Sequence, residues 1–355
     1  MKKTISNFLY IVVTVLLFAG IYYISQSHYY YIDSQNEILS YTQIILYGLL
    51  WSVIYSIAIG LIKLIIALIS KYKIITFRIL CFEFYRLNDK IKFKLSFNKY
   101  SLTELKGYKN EKAYHPYLLT SPILSLCLTI LCLVLLFTLS KGEYDYYDFN
   151  VNGFFISSLI IGAFHLILTA VPSFSNNPND FALFIELFDE RYNQAYNVVL
   201  NANLMIANGK KFEELDVNKI DDPQNLYEFK QVFLAITKDI ANECNDINYL
   251  EKIYSFNFKS KAKLAIDFEY ILVLAKNDLN KAKNYYENMP VQYRNYITKT
   301  NDPFFARYNF FIKKIFLNQL SEYDEKYLLS KISNSIYEEV VNYNIKELNS
   351  NIKVN

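Results

Sequence analysis

Four apolar runs, at 9–25, 44–69, 117–139 and 153–171, constrain this chain more than any other feature. A bilayer hydrocarbon core of about 30 Å takes roughly 20 helical residues at ~1.5 Å each. In that solvent a backbone must satisfy its own hydrogen bonds, so each run is expected as a helix. The first run, preceded by Lys2 and Lys3, also fits a secretory signal peptide. Its exit, Ala19-Gly20-Ile21-Tyr22-Tyr23, is bulky and lacks a clean small-x-small site, so it reads as an uncleaved anchor. The second run exceeds one span, which implies tilt or a helix continuing past the membrane surface.

Most long apolar sequence precedes Pro172, and most mixed charged sequence follows it. The mean hydropathy of +0.09 is thus an average over two unlike parts. They are a membrane domain at 1–173 and a cytoplasmic helical domain at 174–355. The composition agrees: 53% hydrophobic and 20% charged residues are rich for a soluble protein and thin for a pure membrane bundle. A net charge of +3, with Lys and Arg dense in one loop only, gives no footprint for nucleic acid.

That loop fixes orientation. Between the second and third runs lie Lys71, Lys73, Arg78, Arg86, Lys90, Lys92, Lys94, Lys99, Lys106, Lys109 and Lys112, whereas 27–41 has no Lys or Arg. By the positive-inside rule the basic loop is cytoplasmic. The acidic Glu143, Asp145 and Asp148 belong outside, which makes this a multi-pass cell-membrane chain with both termini in the cytoplasm. Cys81, Cys127, Cys132 and Cys244 show no pairing pattern and none falls in an outside loop, so no disulfide is expected.

Within the basic loop, 74–84 is dense in β-branched and aromatic residues, and Lys90-Ile91-Lys92-Phe93-Lys94-Leu95-Ser96-Phe97 alternates strictly. This predicts a β-hairpin over 74–97. Its second strand sets Ile91, Phe93, Leu95 and Phe97 on one face and Lys90, Lys92 and Lys94 on the other. The lysines form a membrane-surface basic hairpin that either meets anionic headgroups or is a solvated strand needed only for topology.

The order helix, hairpin, Pro-bearing span, then a span ending in a Pro/Asn/Asp turn resembles the site-2 protease family of membrane zinc metallopeptidases over about 55–215. The strings carrying the resemblance are 70–79, similar to the stretch after the zinc helix in Gram-positive bacterial members; Ser121-Pro122, where members have Gly-Pro; Asn177-Pro178-Asn179-Asp180, matching all but the Gly of NPxDG; and 196–215. The resemblance implies a zinc site made by HExxH on the first core helix and a later Asp. Aligned back from Ser70, the HExxH motif falls on Ile59-Gly60-Leu61-Ile62-Lys63, so both His and the Glu are missing.

Three His exist in all, His28, His115 and His165. A hydrolytic zinc needs about three protein ligands and an open position. His165 and Asp180 alone leave it short, so no catalytic residue, metal ligand or cofactor is expected, and the degenerate site comprises Ile59, Gly60, Lys63 and Asp180. The alternative is an active zinc metalloprotease with His165 and Asp180 as divergent ligands. No P-loop, GxGxxG or GxSxG is present. Lys63 stands where the second zinc-binding His would be, and its ammonium either pairs with Asp180 in place of the cation or snorkels toward the cytoplasm.

The rest is expected to be helical, with apolar periodicity at 182–206, 226–241, 261–275 and 308–316 and breaks at Asp221-Asp222-Pro223 and Met289-Pro290. The stretch 270–286 resembles the turn of a tetratricopeptide-type repeat, although one unit also fits an irregular bundle. The fold class is therefore mainly α: a polytopic membrane bundle, a cytoplasmic β-hairpin and an all-α cytoplasmic domain. The expected partners are the lipid bilayer and a membrane peptide or protein held by a noncatalytic scaffold.

Overall fold

The computed structural model describes residues 2–27, 37–96, 103–109, 115–139, 146–173, 178–242, 244, 246–299, 303–317 and 326–327. Expectations that fall on His28, Phe97, Lys99, Lys112, Glu143 and Asp145 lie outside the described residues. The chain divides into two compact units, 1–193 and 194–355.

The first unit holds α1 (Lys2–Ser27), α2 (Glu37–Ile69), α3 (Thr120–Leu139), α4 (Tyr146–Ala170) and the short α5 (Asp180–Glu186). Among the described residues three stretches are long and apolar enough to cross a membrane: Thr42–Ile69, Pro116–Leu139 and Asn150–Ala170. The apolar stretch of α1, Phe8–Tyr23, is shorter. Trp51, Tyr55 and Ile59 of α2 interlock with Cys132 and Leu136 of α3 and with Phe155, Ile156 and Leu159 of α4. Small residues let such helices approach. At Gly162, a side-chain carbon would lie inside van der Waals contact of Thr129 Oγ1 and 2.6 Å from Tyr55 Oη. The Thr129 hydroxyl donates to Ser125 O and accepts from the Tyr55 phenol at 3.2 Å, so this crossing joins three helices by polar as well as apolar contact.

Between α2 and α3 the chain forms one antiparallel sheet, β1 (Lys73–Ile79), β2 (Phe82–Leu87), β3 (Lys90–Leu95) and β4 (Thr103–Tyr108), in the order β3-β2-β1-β4. This corrects the two-stranded hairpin expected over 74–97. The run 74–84 folds back at Leu80-Cys81, with Leu80 held at φ 54°, a strained value for a branched side chain. No Gly, Asn or Pro announces that turn. It is held by pairing on both sides, Ile79 with Phe82 and Ile79 with Thr103. The β2–β3 turn is conventional: Asn88 and Asp89 both take positive φ, as a type I′ turn requires. The sheet sits on α2 through Gly60, where a side-chain carbon would come 2.7 Å from Ile79 Cγ1.

The boundary between units falls within α6 (Glu190–Ala207). The helix expected over 182–206 is broken ahead of it, because Asp189 leaves the helical path and accepts from Tyr192 N at 3.0 Å as a cap. In the second unit, α7 (Leu226–Ala241), α8 (Ile247–Tyr254), α9 (Lys261–Asn277), α10 (Leu279–Asn288), α11 (Val291–Lys299) and α12 (Pro303–Phe311) follow, and α12 runs into a π turn at Ile312–Phe316. Asn225, Asp246, Ser260 and Asp278 cap α7, α8, α9 and α10 with side-chain oxygens. From Lys263 to Ala275, α9 is buried at every residue except Asp267, which identifies it as the central helix packed by α7, α8, α10 and α12. Its two internal carboxylates are both paired: Glu269 with Arg307, which also donates to the Tyr308 phenol oxygen at 2.8 Å, and Asp267 with Lys263 of the same helix.

Two outcomes test this packing. Gly162→Ala is expected to destabilise the first unit by about 1–3 kcal/mol in thermal unfolding in detergent. Gly20→Ala, where nothing lies within 4 Å, should be neutral or slightly stabilising. In the second unit, burial pushes the Asp267 carboxyl up to about 6 despite Lys263. A raised carboxyl pKa contributes stability that is complete below the unfolded value near 3.8 and lost as pH rises through about 6. Amide-exchange protection of α9 should fall from pH 4 to pH 7, and Asp267→Asn should flatten that fall.

Candidate functional site

Three segments far apart in sequence converge at Asp180. From α2, one turn beyond Ile59, Lys63 is only 2% exposed, and its ammonium pairs with Asp180 Oδ2. At the start of α3, Ser121 donates to the same oxygen at 2.7 Å. Asp180 itself is the first residue of α5, where the positive end of the helix favours a carboxylate.

Asn179 sets that carboxylate in place. Its amide donates to Leu168 O at 2.8 Å and to Val171 O at 2.7 Å, satisfying carbonyls at the end of α4. Its side-chain oxygen accepts from Ala182 N at 3.0 Å and from Ser173 N at 3.2 Å. One residue therefore closes the C-terminus of a span and opens the next helix. Asn179 thereby links the start of α5, where Asp180 stands, to the end of α4. A cavity of about 160 Å³ beside it is lined by Tyr10, Ile167, Leu168 and Asn179 among others.

Ile59 and Gly60, expected as the other positions of a degenerate zinc site, do packing work. Ile59 is buried in the three-helix core, and Gly60 seats the sheet. His165 is placed elsewhere: its ring stacks on Tyr55 at 5.3 Å with an interplanar angle of 19°. His115 is buried between Tyr72 and Tyr117, with ring centroids 5.2 and 5.6 Å away. Among the described residues no group of three His, Cys, Asp or Glu could hold a metal ion. Lys90, Lys92 and Lys94 are exposed on β3, and Lys94 reaches Glu83 at 3.4 Å and lies over Tyr85.

Sequence reasoning singled out Lys63 and Asp180 but gave Ser121 and Asn179 no role. Their places at helix starts were legible locally, whereas the contact of Ser121 with Asp180 was not. Ser121-Pro122 opens a helix, where Pro is tolerated in the first turn, and Asn179 stands one residue before a helix as an N-cap does.

A serine, a lysine and a carboxylate together suggest nucleophilic chemistry, but here the arrangement opposes it. A lysine base must be neutral to accept a serine proton, whereas the Asp180 carboxylate holds the Lys63 ammonium and already receives the Ser121 proton. The cluster is suited to tying α2, α3 and α5 together.

Removing one partner of a buried pair leaves an uncompensated charge. Asp180→Asn is expected to lower stability by about 3–5 kcal/mol, and Asn179→Ala by at least about 1 kcal/mol through its lost cap, both read by thermal unfolding in one detergent. Ser121→Ala should cost less than Asp180→Asn, since the ion pair survives it. No family model, no curated protein and no solved structure matches the chain.

Proposed function

We propose that this chain is a noncatalytic membrane protein of site-2-protease-like design that binds a membrane peptide or protein, as an accessory to peptide export, processing or immunity in a Gram-positive bacterium. The observation that carries the reading is the Lys63–Asp180 pair. An ammonium on this aspartate supplies in cis the positive charge that zinc supplies in the family. The donor set does not fit zinc: Ile59 and Gly60 offer no ligand atom, and Lys63 brings a cation to Asp180. The scaffold then holds a partner without hydrolysing it.

In this reading α1 is a fourth span, and both termini and the basic sheet lie on the cytoplasmic side. The second unit is a docking module of paired helices. Buried Ala275 and Ala282 support a tetratricopeptide-like pairing of α9 with α10, which turns back after the single residue Asp278.

The test has two parts. Elemental analysis of the purified chain should find far less than about one zinc per molecule. A photo-crosslinking residue at Pro178 should, in native membranes, capture an intact peptide or protein. About one tightly held zinc per chain, with chelator-sensitive cleavage of a captured peptide, would overturn the proposal.

A further inference from the structure

The second unit holds part of its own chain as a docking module holds a peptide. α6 ends at Ala207 and α7 begins at Leu226, so their connection occupies 208–225. Neighbouring helices are ordinarily joined by roughly two to eight residues, and a much longer connection with little secondary structure is usually functional. This one makes a 3-10 turn at Phe212–Glu214, after which 215–220 is neither helix nor strand.

That stretch alternates as a bound strand does. Leu215, with extended φ −68° and ψ 134°, is 1% exposed and Val217 4%, whereas Asp216 and Asn218 face outward. Side chains of α7 and α8 hold its backbone. Gln231 of α7 donates its amide to Asn218 O at 3.1 Å. The Tyr249 hydroxyl of α8 donates to Ile220 O at 2.9 Å and accepts from Ile220 N at 3.2 Å, so one phenol pairs both polar groups of a residue as a neighbouring strand would. Burial pushes that phenol up to about 12, which keeps it a donor.

Between these clamps Lys219 enters a cradle. Its ammonium lies 2.8 Å from Asp239 Oδ2, 3.0 Å from Asp246 Oδ2 and 5.0 Å from the centre of the Tyr249 ring. Burial alone would lower the lysine's pKa, but the bonds to Asp239 and Asp246 outweigh it and raise the value, so the cradle holds a cation. Asp239 belongs to α7 and Asp246 caps α8. With no lysine between them, like charges from two helices would face each other. Main-chain bonds of this kind give a peptide site affinity whatever the sequence, and pockets for alternate side chains give it specificity.

We infer that this surface of α7 and α8 is a binding site for extended peptides, occupied in cis by 215–220. The partner it fits carries apolar residues two apart, a lysine two further on and an apolar residue after that, the pattern of Leu215-Asp216-Val217-Asn218-Lys219-Ile220. A partner segment of that pattern displaces the cis segment, which guards the site until a competitor arrives. The inference rests on the docking role proposed for the second unit and supplies its ligand; its failure would leave the zinc and Pro178 tests untouched.

A fluorescein-labelled peptide of residues 213–222 is the probe. Fluorescence anisotropy should show it binding the full chain carrying Val217→Ser and Lys219→Ser at least about ten-fold more tightly than the unaltered chain, because the cis copy then competes poorly. Lys219→Ala in the peptide should weaken that binding by about ten-fold. Equal affinity for the two chains, no binding to a variant that unfolds as the unaltered chain does, or indifference to the peptide's lysine would overturn the inference. Amide exchange of the unaltered chain in detergent decides the matter where the variant fails to fold. The Ile220 amide should exchange at least about ten-fold faster than the slowest amides of α9, through an opening that leaves α9 protected. Exchange of Ile220 only together with α9 would make the segment a fixed part of the core and would overturn the inference.

Discussion

A lysine ammonium with 2% exposure, among helices apolar enough to cross a membrane, must have a counter-charge, and the first unit is arranged so that it has one. Asp180 provides it, Ser121 completes the carboxylate oxygen's bonding, and Asn179 ties the aspartate to the end of α4. The elements joined are the helix that carries Lys63, the start of the third helix and the turn after the fourth. Without that pair, α2 would keep a buried charge and α5 would lose its attachment point.

The residues around Lys63 show how one helix serves several neighbours. Ile59 fills a core formed with Leu136 and Phe155, and Gly60 gives the sheet room that any side chain would deny. The same helix therefore packs protein on one side, lies uncovered on another and seats a sheet on a third. The second unit solves its burial problem differently, with one central helix whose internal charges are each matched.

Much of this was legible in the sequence where one physical requirement dominates. Length and hydropathy mark the long helices and strict alternation marks β3; the Lys63–Asp180 pairing was an expectation implied by the resemblance, beside the alternative of a lysine snorkelling toward the cytoplasm. What was not legible depended on distant partners. Leu80 turns with positive φ because strands on both sides hold it, β4 pairs only once β1 exists, and Asp189 breaks a periodic helical stretch by capping the next one. Ser121 acquires its role only when α5 is brought to it, which no spacing within α3 reveals.

The measurement that bears most directly on the Lys63–Asp180 brace is a double-mutant cycle, with Lys63→Met, Asp180→Leu and the double variant unfolded in the same detergent. If the pair is what holds α2 to α5, each single change loses stability, the double change recovers most of it, and the coupling exceeds about 2 kcal/mol. Losses that simply add, within about 0.5 kcal/mol, would mean that the two residues act independently and would contradict the account.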